Sequence, residues 1–76
     1  MSFINEIVEL NETKVIELLD SRLQSNDDPF NVMNDVREAM KIIGEKFSNK
    51  EYFIPELIMS GEILRQIFEK LEPIFT

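Results

Sequence analysis

The 76-residue sequence contains no cysteine, no histidine and no tryptophan, and it has only one tyrosine. Without cysteine there are no disulfide bonds or thiolate metal ligands, and without histidine the commonest neutral metal ligand and general base is missing. Basic residues are also scarce, since 8 Lys and Arg stand against 15 Asp and Glu for a net charge of -7. The composition therefore predicts no catalytic residues and no metal site, and it opposes binding to nucleic acid or to an anionic membrane.

Long apolar runs are missing as well. No run approaches the roughly 18 residues that a membrane span requires, and no basic region precedes the first apolar residues. We therefore expect a cytoplasmic protein that does not enter a membrane. A chain of this length forms one domain, so residues 1–76 are predicted to be a single unit.

Apolar residues recur at every third or fourth position, and no stretch of useful length alternates with a period of two. The pattern predicts an all-α four-helix bundle with helices over about residues 2–10, 12–25, 29–47 and 55–72. Asp28 and Pro29 suit the start of the third helix, and Pro55 suits the first turn of the fourth. Pro73 is expected to end the fourth helix at Glu72, because a residue before proline disfavours the helical conformation.

The same spacing predicts which residues of the two long helices face the core. On the third helix they are Phe30, Met33, Val36, Met40, Ile43 and Phe47. On the fourth helix they are Ile54, Leu57, Ile58, Gly61, Leu64, Ile67, Phe68 and Leu71. Gly44 and Gly61 each cost a helix about 1 kcal/mol relative to alanine. We interpret them as places of tight helix packing, with close approach of a flat ligand to the backbone as the alternative.

Three segments follow one another in the second half of the chain. The first is Asp28-Pro29. The second consists of AMKIIGEKF at residues 39–47 followed by EYFIPEL at residues 51–57. The third is Leu71-Glu72-Pro73. In this order they resemble the helical cap domain of corrinoid proteins. This group includes the methyl-carrying cobalamin proteins of methanol and methylamine metabolism and the cobalamin module of methionine synthase. The resemblance covers about residues 27–73.

The resemblance implies a function and three site residues. In that family the cap covers the upper face of the corrin ring, which three apolar side chains touch, and by motif position these are Phe47, Ile54 and Leu57. An apolar lid excludes water from the cobalt–carbon bond. The implied protein is a non-catalytic cap module of a cobalamin methyl carrier, working with a methyltransferase. From helical spacing alone, the same three residues would be ordinary core residues.

One departure from the family limits what the chain does alone. The family's lower axial ligand is a histidine in a following Rossmann-like domain, and this sequence has no histidine and no such domain. We therefore expect cobalamin binding only together with a separate Rossmann-like domain, in a longer protein or as a partner. The alternative is a small acidic interaction module that keeps the cap fold without cofactor. Exposure of Phe47, Ile54 and Leu57 would favour the cap, burial would favour the alternative, and a homodimer would be one way to cover that face.

Overall fold

The computed structural model describes residues 2–75, which form four helices joined by short turns. These are α1 (Phe3–Val8), α2 (Glu12–Gln24), α3 (Pro29–Ser48) and α4 (Ile54–Phe75). The described residues contain no strand, so the all-α prediction is confirmed, and each observed helix end lies within three residues of the predicted one. Over the same residues, no helix has both the length and the apolar composition needed to cross a membrane.

The helix starts use side chains from the preceding residues. Ser2, Asn11 and Asp28 cap α1, α2 and α3, because each side chain accepts a hydrogen bond from a backbone N–H of the first turn. Phe53 precedes α4 and offers no acceptor side chain. Instead Glu56 reaches back and accepts the Phe53 backbone N–H at 2.7 Å, which is the second half of a capping box. Each helix therefore begins at a position that local hydrogen bonds define.

The ends of α1, α2 and α3 share one backbone motif. The residue after each C-cap has a positive φ, 60° at Leu10, 60° at Asn26 and 64° at Lys50. In each case the N–H of this residue bonds to the carbonyl three residues before it, and the N–H of the next residue bonds to the carbonyl five residues before itself. This pair of hydrogen bonds is the Schellman motif. Glycine usually occupies this position because it tolerates a positive φ without strain. Here three other residues adopt the conformation, so glycine does not mark these helix ends in the sequence.

The shortest helix lies at the centre of the packing. α1 packs against α2 and α3, and α4 packs against α2 and α3, whereas α2 and α3 hardly touch although they are consecutive. The buried apolar residues form one cluster of Phe3, Ile7, Val8, Val15, Leu19, Val32, Val36, Ala39, Ile43, Ile63, Ile67 and Leu71. Burial of this cluster is the main stabilising contribution to a domain of this size.

The predicted core faces of α3 and α4 are partly wrong. The buried residues are Val32, Val36, Ala39 and Ile43 on α3, and Ser60, Ile63, Ile67 and Leu71 on α4. Among the residues predicted to face the core, Phe30 and Ile58 are each 67% exposed. Both long helices carry apolar residues on a second face beside the core face, and helical spacing alone does not show which face packs.

The predicted end of α4 at Glu72 is also wrong, because the helix continues through Pro73 to Phe75. A proline this close to a helix end removes the one hydrogen bond that its N–H would have donated. The last turn gains a tertiary contact, since the Phe75 ring packs edge-on against Phe30 of α3 with 5.3 Å between ring centroids. Such aromatic pairs stabilise by about 1 kcal/mol beyond the area they bury.

Arg22 joins the end of α2 to the start of α3. Its guanidinium donates to Asp27 at 2.7 Å and to Asp35 at 2.5 Å, and it lies over the Phe3 ring at 5.4 Å from the centroid. The hydrogen bond from Arg22 lowers the pKa of the Asp27 carboxyl group below its ordinary value. Arg22 on α2 thus contacts α1 through Phe3, the following turn through Asp27, and α3 through Asp35. These contacts compensate for the poor direct packing between α2 and α3.

Candidate functional site

Residues 49–53 form the turn between α3 and α4, and the predicted site residues lie in the two helices on either side of it. The Lys46 carbonyl accepts two backbone hydrogen bonds, from the N–H of Glu51 at 2.8 Å and from the N–H of Tyr52 at 3.1 Å. Lys50, directly before Glu51, has a φ of 64°. These bonds give the turn a defined backbone, so the residues on its two sides are held in fixed positions.

Tyr52 attaches this turn to α1. Its hydroxyl donates to the Val8 carbonyl at 2.6 Å, and the Lys46 ammonium lies 5.4 Å from the centroid of its ring. Val8 is in the last turn of α1, where carbonyls have no partner within the helix. Burial raises the pKa of Tyr52, and the nearby carboxylates of Glu9, Glu56 and Glu51 raise it further. The hydroxyl therefore keeps its proton and its role as donor at neutral pH.

Replacing Tyr52 with phenylalanine is expected to destabilise the protein by about 1 kcal/mol at pH 7, because the ring stays in place but the Val8 carbonyl loses its donor. Burial and the nearby carboxylates raise the pKa of Tyr52 in the folded protein, so the protonated hydroxyl contributes fully to stability below about pH 10, and this contribution is lost as the pH rises through the raised pKa. Unfolding in urea at pH 7 and at about pH 11 checks both expectations. If the unmodified protein and Tyr52→Phe differ in their free energy of unfolding by the same amount at both pH values, this role of the hydroxyl is wrong.

The three predicted site residues lie on the two sides of the turn. Phe47, in the last turn of α3, is 40% exposed, and Ile54, the first residue of α4, is 59% exposed. Leu57 is half-buried and packs against the edge of the core cluster. The structure therefore gives two of these residues accessible apolar surface beside the same turn, while Leu57 packs mainly against the core.

Further apolar side chains extend this surface. Phe53 is 59% exposed and Ile58 is 67% exposed, and neither was predicted to be a site residue. We call the exposed residues Phe47, Phe53, Ile54 and Ile58, together with Leu57, the turn surface. The sequence could have indicated this exposure, because the turn and the first turn of α4 contain more large apolar residues than one buried helix face accommodates.

The glycines lie beside the turn surface, and the interpretation of tight helix packing is wrong. Gly44 is one turn before Phe47, Gly61 is one turn after Leu57, and both are exposed. A Cβ atom built at either glycine would meet nothing within 4 Å. Packing inside the protein therefore does not explain why these two helix positions lack a side chain.

The titratable groups around the turn have structural partners. Glu51 lies 3.9 Å from the Lys46 ammonium, and Glu56 caps the start of α4 through the Phe53 N–H. Across residues 2–75, no three acidic side chains come together in a group that could hold a metal ion. Apolar contact and exclusion of water are therefore what the turn surface offers a ligand.

Comparison with known proteins assigns a family to this fold. The sequence matches the family described as the B12 binding domain, B12 being cobalamin, over residues 2–72. The chain belongs to the B12 binding domain family. The matched range includes all of α1, α2 and α3 and most of α4, so the turn surface lies within the family domain and not in an added segment.

This chain has relatives among the corrinoid proteins of two Methanosarcina species. The chain is 31% identical over 70 residues to monomethylamine corrinoid protein 2 of Methanosarcina acetivorans. It is also 31% identical over 70 residues to monomethylamine corrinoid proteins 1 and 2 of Methanosarcina mazei. In each case the alignment covers 91% of this chain and 32% of the relative, so the chain spans about a third of the length of these relatives. No solved structure gives a significant match.

Proposed function

We propose that this chain is the non-catalytic cap of a corrinoid methyl carrier, covering the upper face of the corrin ring of a cobalamin held by a separate Rossmann-like domain. The exposure of Phe47 and Ile54 on the two sides of one turn carries the proposal. Exposed apolar side chains in a small acidic protein would be stabilised if a ligand removed them from water, and a bound macrocycle would cover them in this way. Membership in the B12 binding domain family supports cobalamin as that macrocycle.

Phe47, Ile54 and Leu57 are proposed to contact the ring. Cobalamin would supply the cobalt atom that carries the methyl group, and none of these three side chains has an atom able to coordinate it. Their contribution is to exclude water from the upper face without offering a competing ligand. Tyr52 positions the turn that carries them through its bond to Val8.

The cap has to move away when the methyl group is transferred, since a covered upper face is closed to a methyltransferase. An apolar surface of limited area suits this requirement, because it holds the ring without a network of buried hydrogen bonds that would have to break. The alternative function, an acidic interaction module without cofactor, predicts burial of the site residues. The exposure of Phe47 and Ile54 supports the cap over that alternative.

Photolysis of methylcobalamin tests the proposal. The ligand is bound to the separate cobalamin domain of a monomethylamine corrinoid protein, and this chain is titrated into the complex while the photolysis rate is followed. We expect the chain to slow photolysis to a plateau, because a covered methyl group recombines with cobalt before it escapes. Phe47→Ala is expected to raise the half-saturating concentration about tenfold, which corresponds to about 1.4 kcal/mol of lost apolar contact.

Ile74→Ala is the matched control for Phe47→Ala. Ile74 is 46% exposed and Phe47 is 40% exposed, but Ile74 lies at the other end of α4, so its removal should leave the titration unchanged. If the unmodified chain gives no protection, or if both variants lose protection equally, the proposed contact between the turn surface and the corrin ring is wrong.

A further inference from the structure

The segment that carries the turn surface has little buried packing of its own. Ile43 on α3 and Ser60 on α4 are buried, but none of residues 44–59 between them is. Tyr52 and Leu57 reach the core cluster only as half-buried side chains. A segment with few buried apolar contacts opens locally at a low cost in free energy, so the shape of this segment depends on the other contacts that it makes.

Tyr52 makes the only hydrogen bond that joins this segment to α1 or α2 in the described part of the chain. Its hydroxyl donates to the Val8 carbonyl at 2.6 Å, across 44 positions of the sequence. The other side-chain hydrogen bonds and the ion pair of residues 44–59 have both partners between Lys46 and Ser60. A single hydroxyl group therefore connects the turn surface to the N-terminal half of the protein.

Both ends of this hydrogen bond are well fixed. Val8 is buried in the core cluster, and α1 packs against α2 and α3. The Tyr52 N–H donates to the Lys46 carbonyl at 3.1 Å, and the Lys46 ammonium lies 5.4 Å from the centroid of the Tyr52 ring. The bond thus joins the end of α1 to the turn backbone directly before Phe53, where the exposed apolar residues that lead into α4 begin.

We propose that Tyr52 is a positioning residue of the cap, whose hydrogen bond to Val8 orients the turn surface before the corrin ring binds. The inference rests on the proposed function, since it concerns the affinity of that same surface. With the bond in place, the ring meets apolar side chains that are already ordered. Without it, part of the binding free energy is used to order the turn, and the affinity falls. Tyr52 acts through Phe47 and Ile54, the proposed ring contacts.

Tyr52→Phe in the methylcobalamin photolysis titration tests the proposal, because the aromatic ring stays and only the hydroxyl is lost. We expect the half-saturating concentration of the chain to rise about fivefold, the factor that corresponds to one net hydrogen bond. The plateau of protection should stay the same, because a saturating concentration of the variant still covers the methyl group. An unchanged half-saturating concentration would overturn the assignment.

Asp28→Ala is the control matched for stability. Asp28 accepts the Phe30 N–H at 2.9 Å at the start of α3, and loss of such a cap destabilises a protein about as much as loss of the Tyr52 hydrogen bond. Asp28 is 19 positions before Phe47, which corresponds to about 28 Å along a helix, so the half-saturating concentration should not change. Equal rises in both variants would show that Tyr52 acts only through global stability.

Combining Tyr52→Phe with Phe47→Ala shows whether the hydrogen bond acts through the turn surface. If Tyr52 orders Phe47, the hydroxyl matters less once the Phe47 ring is gone. The half-saturating concentration of the double variant should then rise by less than the product of the two single effects. A rise equal to that product would mean that the two residues act independently, which contradicts a positioning role.

Amide hydrogen exchange in the free chain separates this inference from the proposed function. The Glu51 N–H bonds to the Lys46 carbonyl inside the turn. Because the turn opens more easily without the hydroxyl, exchange of this amide should be about fivefold faster in Tyr52→Phe and unchanged in Asp28→Ala. Unchanged exchange in Tyr52→Phe would overturn the role of Tyr52 and leave the cap function standing. No protection of methylcobalamin by the unmodified chain would overturn the cap function, and this inference with it.

Discussion

Replacing Arg22 with methionine is expected to lower the stability of the protein by about 1 to 2 kcal/mol at pH 7. Methionine keeps much of the apolar stem but removes the hydrogen bonds to Asp27 and Asp35, which hold the start of α3 against α2. Hydrogen bonds between charged groups contribute about 1.5 to 3 kcal/mol, and partial exposure of this site reduces that value. The loss corresponds to a fall of roughly 5 to 15 °C in the Tm, measured by circular dichroism.

Arg65→Met is the control, because Arg65 also has two carboxylate partners. It pairs with Glu62 and Glu69, but all three side chains lie on the exposed face of α4, so both ion pairs stay within one helix. Exposed pairs within one helix contribute little, so the Tm should hardly change. Equal losses from both substitutions would show that Arg22 does not act by joining separate elements.

The effect of Arg22→Met should also depend on pH. The hydrogen bond from Arg22 lowers the pKa of Asp27 in the folded protein. A lowered pKa in the folded state stabilises the fold at pH values above the ordinary pKa of about 4, and this contribution is lost as the pH falls through the lowered value. The difference between the unmodified protein and the variant is therefore expected to be full at pH 7 and to shrink below about pH 4. A difference that stays constant to about pH 2 would contradict the assignment to Asp27.

The second large effect is a gain in stability from Gly44→Ala combined with Gly61→Ala. Each glycine lies inside a helix and faces open space, since a Cβ atom there meets nothing within 4 Å. Alanine is favoured over glycine in a helix by about 1 kcal/mol. The double variant should therefore gain about 2 kcal/mol and melt roughly 8 to 16 °C higher. Lys41→Ala, at an exposed position of α3, should change the stability by less than about 0.5 kcal/mol.

The same double variant connects the glycines to the proposed function. Two methyl groups added beside the turn surface should hinder the close approach of a flat ring, so the protection of methylcobalamin should weaken although the chain has become more stable. Loss of stability would contradict the open surroundings of the glycines. Gained stability with unchanged protection would show that the ring does not reach Gly44 or Gly61.

The helices of this protein could be predicted from the sequence, but several of their contacts could not. Periodicity and the start signals at Asp28 and Pro55 gave the helix boundaries to within three residues. The end of α4 was predicted too early, at Glu72, because the local effect of Pro73 on the backbone does not include the ring contact that Phe75 makes with Phe30. The bond between Tyr52 and Val8 joins residues 44 positions apart, and no spacing rule connects positions that far from each other.

The candidate site was predicted from motif order and not from periodicity. Phe47 and Ile54 occur at core spacing, and only the resemblance to corrinoid proteins singled them out. The exposure of Phe30 and Phe68 was missed for the same reason, since both residues continue the apolar pattern of their helices. Periodicity shows that a helix face is apolar, but whether that face meets the core or another molecule depends on how the helices pack.

The position of α1 affects how the protein unfolds. Six residues are too few for a helix to persist alone in water, yet Phe3, Ile7 and Val8 occupy the middle of the core. The N-terminal helix therefore cannot detach and leave a stable three-helix remainder, and it cannot form before its neighbours do. Because this small helix ties the core together, we expect the domain to fold and melt in a single all-or-none transition.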